Sequence, residues 1–287
     1  LRSYYSKDGK FSELTNGYTY YEFITDLQKN FDDKYDEIVK NLQEVAAAVI
    51  NKNNLIANIT CAKADYPIYE NELHNFMHQI SEDDIEIKDW QFDFVMDNEG
   101  IMSPSKVQYV TKGYNFKNLG HEYSGKIRVM NQILSRGWLT QQLRIIGGAY
   151  GGFAGFSRSG NVYFASYRDP NLKETLENID ASPKFLSEFD PTDDEMTRYI
   201  IGTISRMDQP LSPSDEGNTA LNYYMSGLTA EELQAERDEV LATAAADINA
   251  LADFVSDVLE NSGICVYGNE EKIEDNKELF KSVFLIK

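Results

Sequence analysis

Two glycine pairs, at positions 147–148 and 151–152, interrupt an apolar run and place Arg144 and Tyr150 beside backbone that carries no Cβ atoms. Glycine lets another chain approach closely, arginine offers five N–H donors in a fixed fork, and tyrosine offers a hydroxyl. The segment is therefore suited to binding a polar peptide backbone. Taken alone, such a run is more often a glycine-rich turn into a strand with Arg144 in a surface salt bridge, because short glycine runs are weak motifs.

The length of 287 residues is sufficient for two domains, or for one domain and part of another. No apolar run approaches the roughly 18 residues that a membrane span needs, so we predict a soluble protein. The chain begins at Leu1 without a signal-type segment, and we expect it to be a piece of a longer protein. Two cysteines, Cys61 and Cys265, do not suggest a disulfide framework, so we expect a reducing compartment. A single disulfide between them is the alternative.

The charge balance opposes two classes of partner. With 27 Lys and Arg against 47 Asp and Glu, the net charge is -20. Nucleic acids and anionic membranes require a basic surface, so we expect neither as a partner. Neutral or basic peptides would be attracted, provided that the acidic residues line a cavity. Acidity that serves only solubility is the default alternative.

The first 88 residues read as the end of a domain. Apolar residues at helical spacing predict a helix over 35–50, followed by a strand over 55–61 and a helix over 69–80. Three such elements cannot enclose a core alone. We therefore take 1–88 as the C-terminal part of one domain and 89–287 as a complete second domain.

The second domain is predicted to be α+β, with a mainly antiparallel sheet and helices packed on one face. Strands are expected over 92–96, 107–113, 149–156, 162–167 and 263–267, and helices over 122–136 and 270–280. The segment 157–161 joins the third and fourth strands as a hairpin turn. Four further helices have clear start signals at Asp169-Pro170, Thr192 to Glu195, Ser212-Pro213 and Thr229 to Glu232.

His74 and His78 are the candidate metal ligands, because histidines four residues apart project from one helix face. Hydrolytic zinc helices carry a Glu between such histidines as the general base, whereas this chain has Asn75, Phe76 and Met77 there. We interpret the pair as part of a solvated or interfacial helix face. An autonomous metal site is the minor alternative.

Other catalytic motifs are missing from the sequence. The stretch 156–160 lacks the first glycine of a nucleophile elbow and lies at the predicted hairpin turn, and the glycine pairs match no phosphate-binding fingerprint. The 47 acidic residues are too many to nominate a general acid. The hairpin aromatics are predicted to be core rather than a cofactor stack; they are Phe153, Phe156, Tyr163, Phe164 and Tyr167.

Three stretches, 103–110 (SPSKVQYV), 143–151 with its Gly-Gly-Ala-Tyr-Gly, and 166–172 (SYRDPNL), resemble the C-terminal half of presequence-protease-type zinc endopeptidases of the insulinase/pitrilysin family. The likeness extends from Tyr20 to Val266. Family enzymes consist of two halves, each of two α+β domains, that close around a chamber for unfolded peptides. Their zinc motif, His-x-x-Glu-His, lies in the N-terminal half, and this chain has none.

The resemblance implies that this chain holds the end of the third domain and the whole fourth domain, with zinc bound outside it and no metal inside it. Arg144 and Tyr150 match the Arg and Tyr that reach the substrate across the chamber. We expect Gly147, Gly148, Ala149 and Gly151 to line the bound peptide, and an open cavity beside the pair. The N-terminal half and unfolded, including basic, peptides are the implied partners.

Two hypotheses follow. The first is the substrate-binding half of a zinc metalloendopeptidase, inactive alone, in which Arg144 and Tyr150 stabilise the transition state. The second is a non-catalytic scaffold or peptide-binding module of the same fold, against which the retention of both residues argues. A bacterial parent would place the protein in the cytoplasm, while an organellar location stays open.

Overall fold

The computed structural model describes residues 1–86 and 89–286, which form two compact units. Unit 1 comprises Leu1–Glu13, Phe92–Gln209 and Ala230–Lys287, and unit 2 comprises Leu14–Gln91 and Pro210–Thr229. A single cut between 88 and 89 does not describe this division, and Lys88 itself lies outside the described residues. The assignment of the two segments to the third and fourth family domains stays a prediction.

Long-range hydrogen bonds explain why the N-terminal residues belong to unit 1. The Tyr5 hydroxyl donates to the carbonyl of Val162 at 3.0 Å, and Asn161 Nδ2 donates to the Asp8 carboxylate at 3.1 Å. Burial raises the pKa of Tyr5 above its ordinary value, so the hydroxyl stays a donor. These contacts join residues more than 150 positions apart, which no local pattern reveals.

The helices in chain order are α1 (Lys7–Asn16), α2 (Tyr18–Lys29), α3 (Phe31–Val49), α4 (Tyr66–Met77), α5 (Gly125–Ile133), α6 (Lys173–Asp180), α7 (Ser182–Ser187), α8 (Asp193–Met207), α9 (Pro213–Ser226), α10 (Ala230–Leu241), α11 (Ala245–Ala250), α12 (Ala252–Glu260) and α13 (Glu270–Glu274). A π-helix, Leu134–Ile146, continues α5 without a break. No helix within the described residues combines the length and apolar content that crossing a bilayer requires.

Unit 2 contains the two helices predicted in its sequence but not the strand. Helix α3 covers the predicted 35–50 stripe, and α4 covers most of 69–80. The structure contains no strand over 55–61, so the predicted strand is wrong. A strand needs a partner for its backbone groups; the hydrogen bond found here comes from a side chain, because Asn58 Nδ2 donates to the carbonyl of Gly217 on α9 at 3.2 Å.

Unit 1 contains a six-stranded mixed sheet with the order β3-β4-β2-β5-β1-β6. The strands are β1 (Asn98–Ser103), β2 (Tyr109–Gly113), β3 (Gly151–Phe156), β4 (Val162–Tyr167), β5 (Gly263–Asn269) and β6 (Ser282–Leu285). The pairs β3–β4, β4–β2 and β2–β5 are antiparallel, whereas β1 is parallel to both β5 and β6. The predicted α+β class is confirmed, with a sheet that is less antiparallel than expected.

Several predicted boundaries are wrong. The strand expected over 92–96 is absent, and β1 begins at Asn98 instead. Its sequence, Asn98-Glu99-Gly100-Ile101-Met102-Ser103, shows no apolar alternation, so a period-two pattern does not find it. The helix expected over 270–280 is shorter in the structure, where it consists of α13 and a 3₁₀ turn, Lys277–Leu279. Strand β6, which follows it, was not predicted.

Two of the four helix starts have the predicted caps. The Thr192 side chain accepts from the Glu195 amide while the Glu195 carboxylate accepts from the Thr192 amide, a capping box, and Ser212 accepts from the Asp215 amide. Helix α10 begins at Ala230 as predicted. No helix starts at Asp169-Pro170. Asp169 is buried and hydrogen-bonded, and α6 begins only at Lys173.

The core lies between the helices and one face of the sheet. Val162 and Phe164 of β4 are fully buried against the apolar sides of α5, the π-helix and α12. The opposite face of the sheet carries half-exposed aromatic side chains, among them Tyr109, whose ring lies 5.3 Å from that of Tyr167. The sheet therefore has one core face and one aromatic face.

Candidate functional site

Arg144 projects from the last turn of the π-helix, which buries Leu139 and Leu143 and exposes Arg144. We expected a helix ending near 136, whereas the structure continues it to Ile146 as a π-helix. Its end is closed by backbone hydrogen bonds from the Gly147 amide to the Gln142 carbonyl at 2.9 Å and from the Gly148 amide to the Arg144 carbonyl at 3.2 Å. Apolar anchoring and a closed end hold Arg144 at a fixed place on the surface.

Tyr150 immediately precedes β3. Its amide donates to the carbonyl of Tyr167 at 3.0 Å and approaches that of Arg168 at 3.4 Å. Its ring meets the Tyr167 ring edge-on at 5.8 Å, and the Tyr150 side chain is 67% exposed. The phenol is therefore fixed at its base, with its hydroxyl free to reach a ligand.

The structure brings the two predicted residues together. The Arg144 guanidinium carbon lies 6.0 Å from the centroid of the Tyr150 ring, at the edge of cation–π range. Both side chains are exposed, so the pair lies on an open surface of this chain, and the open cavity expected beside it stays a prediction. The chain presents a cation and a hydroxyl side by side to whatever covers this surface.

The four glycines differ in why a side chain is excluded. A Cβ at Gly147 would lie 2.8 Å from the carbonyl oxygen of Leu143, and one at Gly152 would lie 2.8 Å from the Leu143 side chain. Gly148 adopts a φ of 79°, in the left-handed region that closes helices. The packing and backbone conformation of this chain thus account for three of them, whereas a Cβ at Gly151 would have room, and close approach of a peptide there stays a prediction.

Ala149 does not offer a side chain to a peptide. It is only 3% exposed and belongs to the buried core cluster. Its amide already donates to the Leu143 carbonyl at 2.9 Å. Its methyl group therefore packs inward, and a contact of Ala149 with a bound peptide stays a prediction.

The hairpin aromatics divide between the two faces of the sheet. Phe164 and Phe156 pack in or against the core as predicted. Phe153, Tyr163 and Tyr167 are 38–42% exposed, so their assignment to the core is wrong. Residues two apart along a strand share a face, and Tyr163 and Tyr167 lie on the same exposed face as Tyr109 and Tyr150. The Arg144–Tyr150 pair thus borders an aromatic surface.

A polar cluster next to the pair was not predicted. Asp169, Asn171 and Thr175 follow β4, and the Asn171 amide nitrogen Nδ2 donates to the carbonyl of Gly147 at 2.7 Å. The 166–172 motif contains Asp169 and Asn171. The sequence predicted no role at the site for either residue, because sequence alone does not show which carbonyl an Asn side chain reaches.

The described residues do not form a zinc centre. Nε2 of His74 and Nε2 of His78 lie 3.0 Å apart on α4, both side chains exposed. No third His, Cys, Asp or Glu joins them or forms a cluster of three elsewhere in 1–86 and 89–286, whereas catalytic zinc uses three protein ligands. Cys61 and Cys265 are free thiols, and burial raises the pKa of Cys265. The prediction that zinc binds outside this chain stays a prediction.

Residues 98–268 match the family model described as the PreP C-terminal domain. The chain belongs to this family. The matched region runs from β1 to β5 and includes Arg144 and Tyr150. The resemblance inferred from the three sequence motifs is therefore confirmed.

Curated relatives extend the likeness across almost the whole chain. It is 38% identical over 281 residues to Protein HypA of Clostridium perfringens, covering 98% of this chain and 29% of that protein. It is 34% identical over 260 residues to Presequence protease 1, chloroplastic/mitochondrial, of Arabidopsis thaliana, covering 90% of this chain and 24% of that protein. The chain spans less than a third of the length of these relatives.

Solved structures share the fold. Pitrilysin aligns over 79% of this chain and 25% of its own with a TM-score of 0.53 at 12% identity. The peptidase M16 inactive domain from Pseudomonas fluorescens aligns over 73% of this chain and 51% of its own, with a TM-score of 0.52 at 16% identity. At such identities the likeness concerns the architecture alone.

Proposed function

We propose that this chain is the C-terminal, substrate-binding half of a zinc-dependent metalloendopeptidase that degrades or processes unfolded peptides. Zinc would be held by an N-terminal half of the same polypeptide, because the described residues supply no such site. The relatives named as presequence proteases, each more than three times longer than this chain, support a partner half. We expect this chain to have no activity by itself.

The observation that carries the proposal is the placement of the Arg144 guanidinium 6.0 Å from the Tyr150 ring on one exposed surface. When a peptide bond is hydrolysed, its carbonyl oxygen gains negative charge. A fixed N–H fork and a phenol hydroxyl bind that oxygen, or the neighbouring peptide carbonyls, more strongly as the charge develops. Arg144 would supply the charge, and Tyr150 a neutral hydrogen bond.

Substrate class follows from the same surface. Exposed aromatic rings beside the pair offer flat apolar contacts to the side chains of an extended peptide, and the open position at Gly151 lets its backbone come close. The net charge of -20 favours neutral or basic peptides. An unfolded chain, rather than a folded protein, presents its backbone in this way.

The decisive experiment replaces Arg144 with Ala in the full-length protein. We expect kcat/KM for peptide cleavage to fall by about 10²–10³-fold, as for other oxyanion donors, with unchanged zinc content. Arg136→Ala is the matched control, since Arg136 is an exposed arginine two turns earlier on the same π-helix. Full activity of Arg144→Ala would refute the role, and a full-length protein without peptidase activity would favour the scaffold.

A further inference from the structure

We propose that Asn171 is a positioning residue that holds the turn between Arg144 and Tyr150 in its binding geometry. The inference rests on the proposed function of that pair. It adds a residue outside the π-helix and β3 that controls how the pair is held. Asn171 lies between β4 and α6, and it does not reach the exposed surface through its amide, which points at backbone. Its effect on a substrate would therefore pass through the turn.

The direct contact is a hydrogen bond to the end of the π-helix. Nδ2 of Asn171 donates to the Gly147 carbonyl at 2.7 Å. The last carbonyls of a helix lack partners within the helix, so this bond satisfies one of them from outside. A Cβ at Gly147 would lie 3.4 Å from the same Nδ2, which shows how closely the amide packs on the turn.

Asn171 is itself held by a buried carboxylate. Oδ1 of Asp169 accepts from the backbone N–H of Asn171 at 2.9 Å, and Oδ2 accepts from the Thr175 hydroxyl at 2.6 Å. Asp169 is fully buried and exchanges two backbone hydrogen bonds with Gln108, at 2.7 and 2.9 Å. The amide that reaches Gly147 is thus anchored to the chain entering β2, inside the sheet.

The same connection also holds the other end of the turn. Tyr150 donates through its amide to Tyr167 at 3.0 Å and lies 3.4 Å from the carbonyl of Arg168. Arg168 has a φ of 50°, a left-handed conformation that non-glycine residues rarely adopt. Such conformations persist only where surrounding contacts enforce them, and they concentrate at functional sites.

The four-residue turn 147–150 is therefore fixed at its start by Asn171 and at its end by residues 167–168. Arg144 lies one helical turn before the first bond, and Tyr150 carries the second. If the first bond is lost, the end of the helix gains freedom relative to β3, and the distance between guanidinium and phenol is no longer set. Because misplacement of about 1 Å can reduce rates by about 10²-fold, this bond should matter for turnover.

The test uses the full-length protease with Asn171→Ala and with Asn171→Asp, which keeps the shape but replaces the donor with an acceptor. We expect kcat to fall by about 10- to 100-fold in both, with KM and the thermal unfolding midpoint changed little. Asn178→Ala is the matched control, because Nδ2 of Asn178 makes the same kind of bond to the carbonyl of Glu174, at 2.8 Å, but away from the turn.

A double-mutant cycle separates positioning from general destabilisation. If Asn171 acts through Arg144, then adding Asn171→Ala to Arg144→Ala should lower kcat by less than about twofold more, since coupled residues are not additive. An undiminished loss in that background overturns the positioning role. Wild-type activity of Arg144→Ala overturns the proposed function. If Asn171→Ala is still impaired in that case, the inference is overturned as well, because Asn171 then does not act through Arg144. Wild-type kcat in both Asn171 variants overturns the inference alone.

Discussion

Arg144 and Tyr150 lie side by side, with 6.0 Å between the guanidinium carbon and the ring centroid, although one ends a helix and the other precedes a strand. The turn between them makes this possible because Gly148 reverses the chain in a left-handed conformation. The Tyr150 ring in turn packs edge-on against Tyr167. The phenol thus has two separable parts: a ring that packs on its neighbours and a hydroxyl that can bind a ligand.

Tyr150→Phe separates these parts. The substitution keeps the ring contacts with Arg144 and Tyr167 and removes only the hydroxyl. We expect kcat/KM of the full-length enzyme to fall by about 10²-fold, because a donor to the developing oxyanion is lost. Tyr267→Phe is the control, a tyrosine 40% exposed on the same sheet face and in ring contact with Tyr109. Unchanged kcat/KM in Tyr150→Phe would leave the ring alone as the functional part.

Local signals predicted much of the fold correctly. The capping residues at Thr192 and Ser212 and the hairpin of β3 and β4 depend on side chains within a few positions of one another. Strand β1 was misplaced because its pairing is not local: Asn98 is paired with Ile264 in β5. The sequence of β1 has no apolar alternation to recognise, so its position is decided by partners far along the chain.

The same distinction holds at the site. Arg144 and Tyr150 were predicted from the glycine pairs and the family motif, since the chemistry lies in the residues themselves. Asn171 was missed because its importance depends on one hydrogen bond to Gly147, 24 positions earlier. The glycines were predicted to let another chain approach closely. The structure gives a different reason for Gly147 and Gly152, because Leu143 of the same chain fills the space that a Cβ would need there.

Acid should weaken the contact between α5 and α11. Nζ of Lys126 donates to Asp247 Oδ1 at 2.7 Å, and the Ala244 amide donates to Oδ2 at 2.9 Å. The hydrogen bond to Lys126, and then the one to Ala244, lower the pKa of Asp247. Because the folded pKa is depressed, the carboxylate stabilises the fold fully above its unfolded pKa of about 3.9. This contribution is lost as the pH falls below that value towards the folded pKa.

Asp247→Asn tests this dependence in urea unfolding between pH 7 and pH 2.5. We expect the variant to be less stable than the wild type at pH 7, and the difference in unfolding free energy to shrink below about pH 4. Asp253→Asn, at an exposed position in the first turn of α12, serves as the comparison. A difference that stays constant down to pH 2.5 would mean that the Lys126 contact does not control the ionisation of Asp247.

Gly148→Ala should destabilise the turn, whereas Gly151→Ala should not. An alanine at a φ of 79° is strained, and the left-handed conformation costs about 1–2 kcal/mol for a residue with a Cβ. A Cβ at Gly151 would meet only the Phe153 ring, at 4.0 Å, so little change in unfolding free energy is expected there. Urea unfolding of the two variants measures this difference directly.

Peptide kinetics of the same variants in the full-length protein then separate two roles for the glycines. Gly148→Ala shifts the helix end relative to Tyr150, so we expect mainly kcat to fall. Gly151→Ala leaves the turn in place but adds a methyl group on the open side, and a peptide backbone that approaches this position would be pushed away. We therefore expect a raised KM with nearly unchanged kcat. An unchanged KM in Gly151→Ala would show that the peptide does not pass over Gly151, because among the described residues only the Phe153 ring, at 4.0 Å, comes near a Cβ at that position.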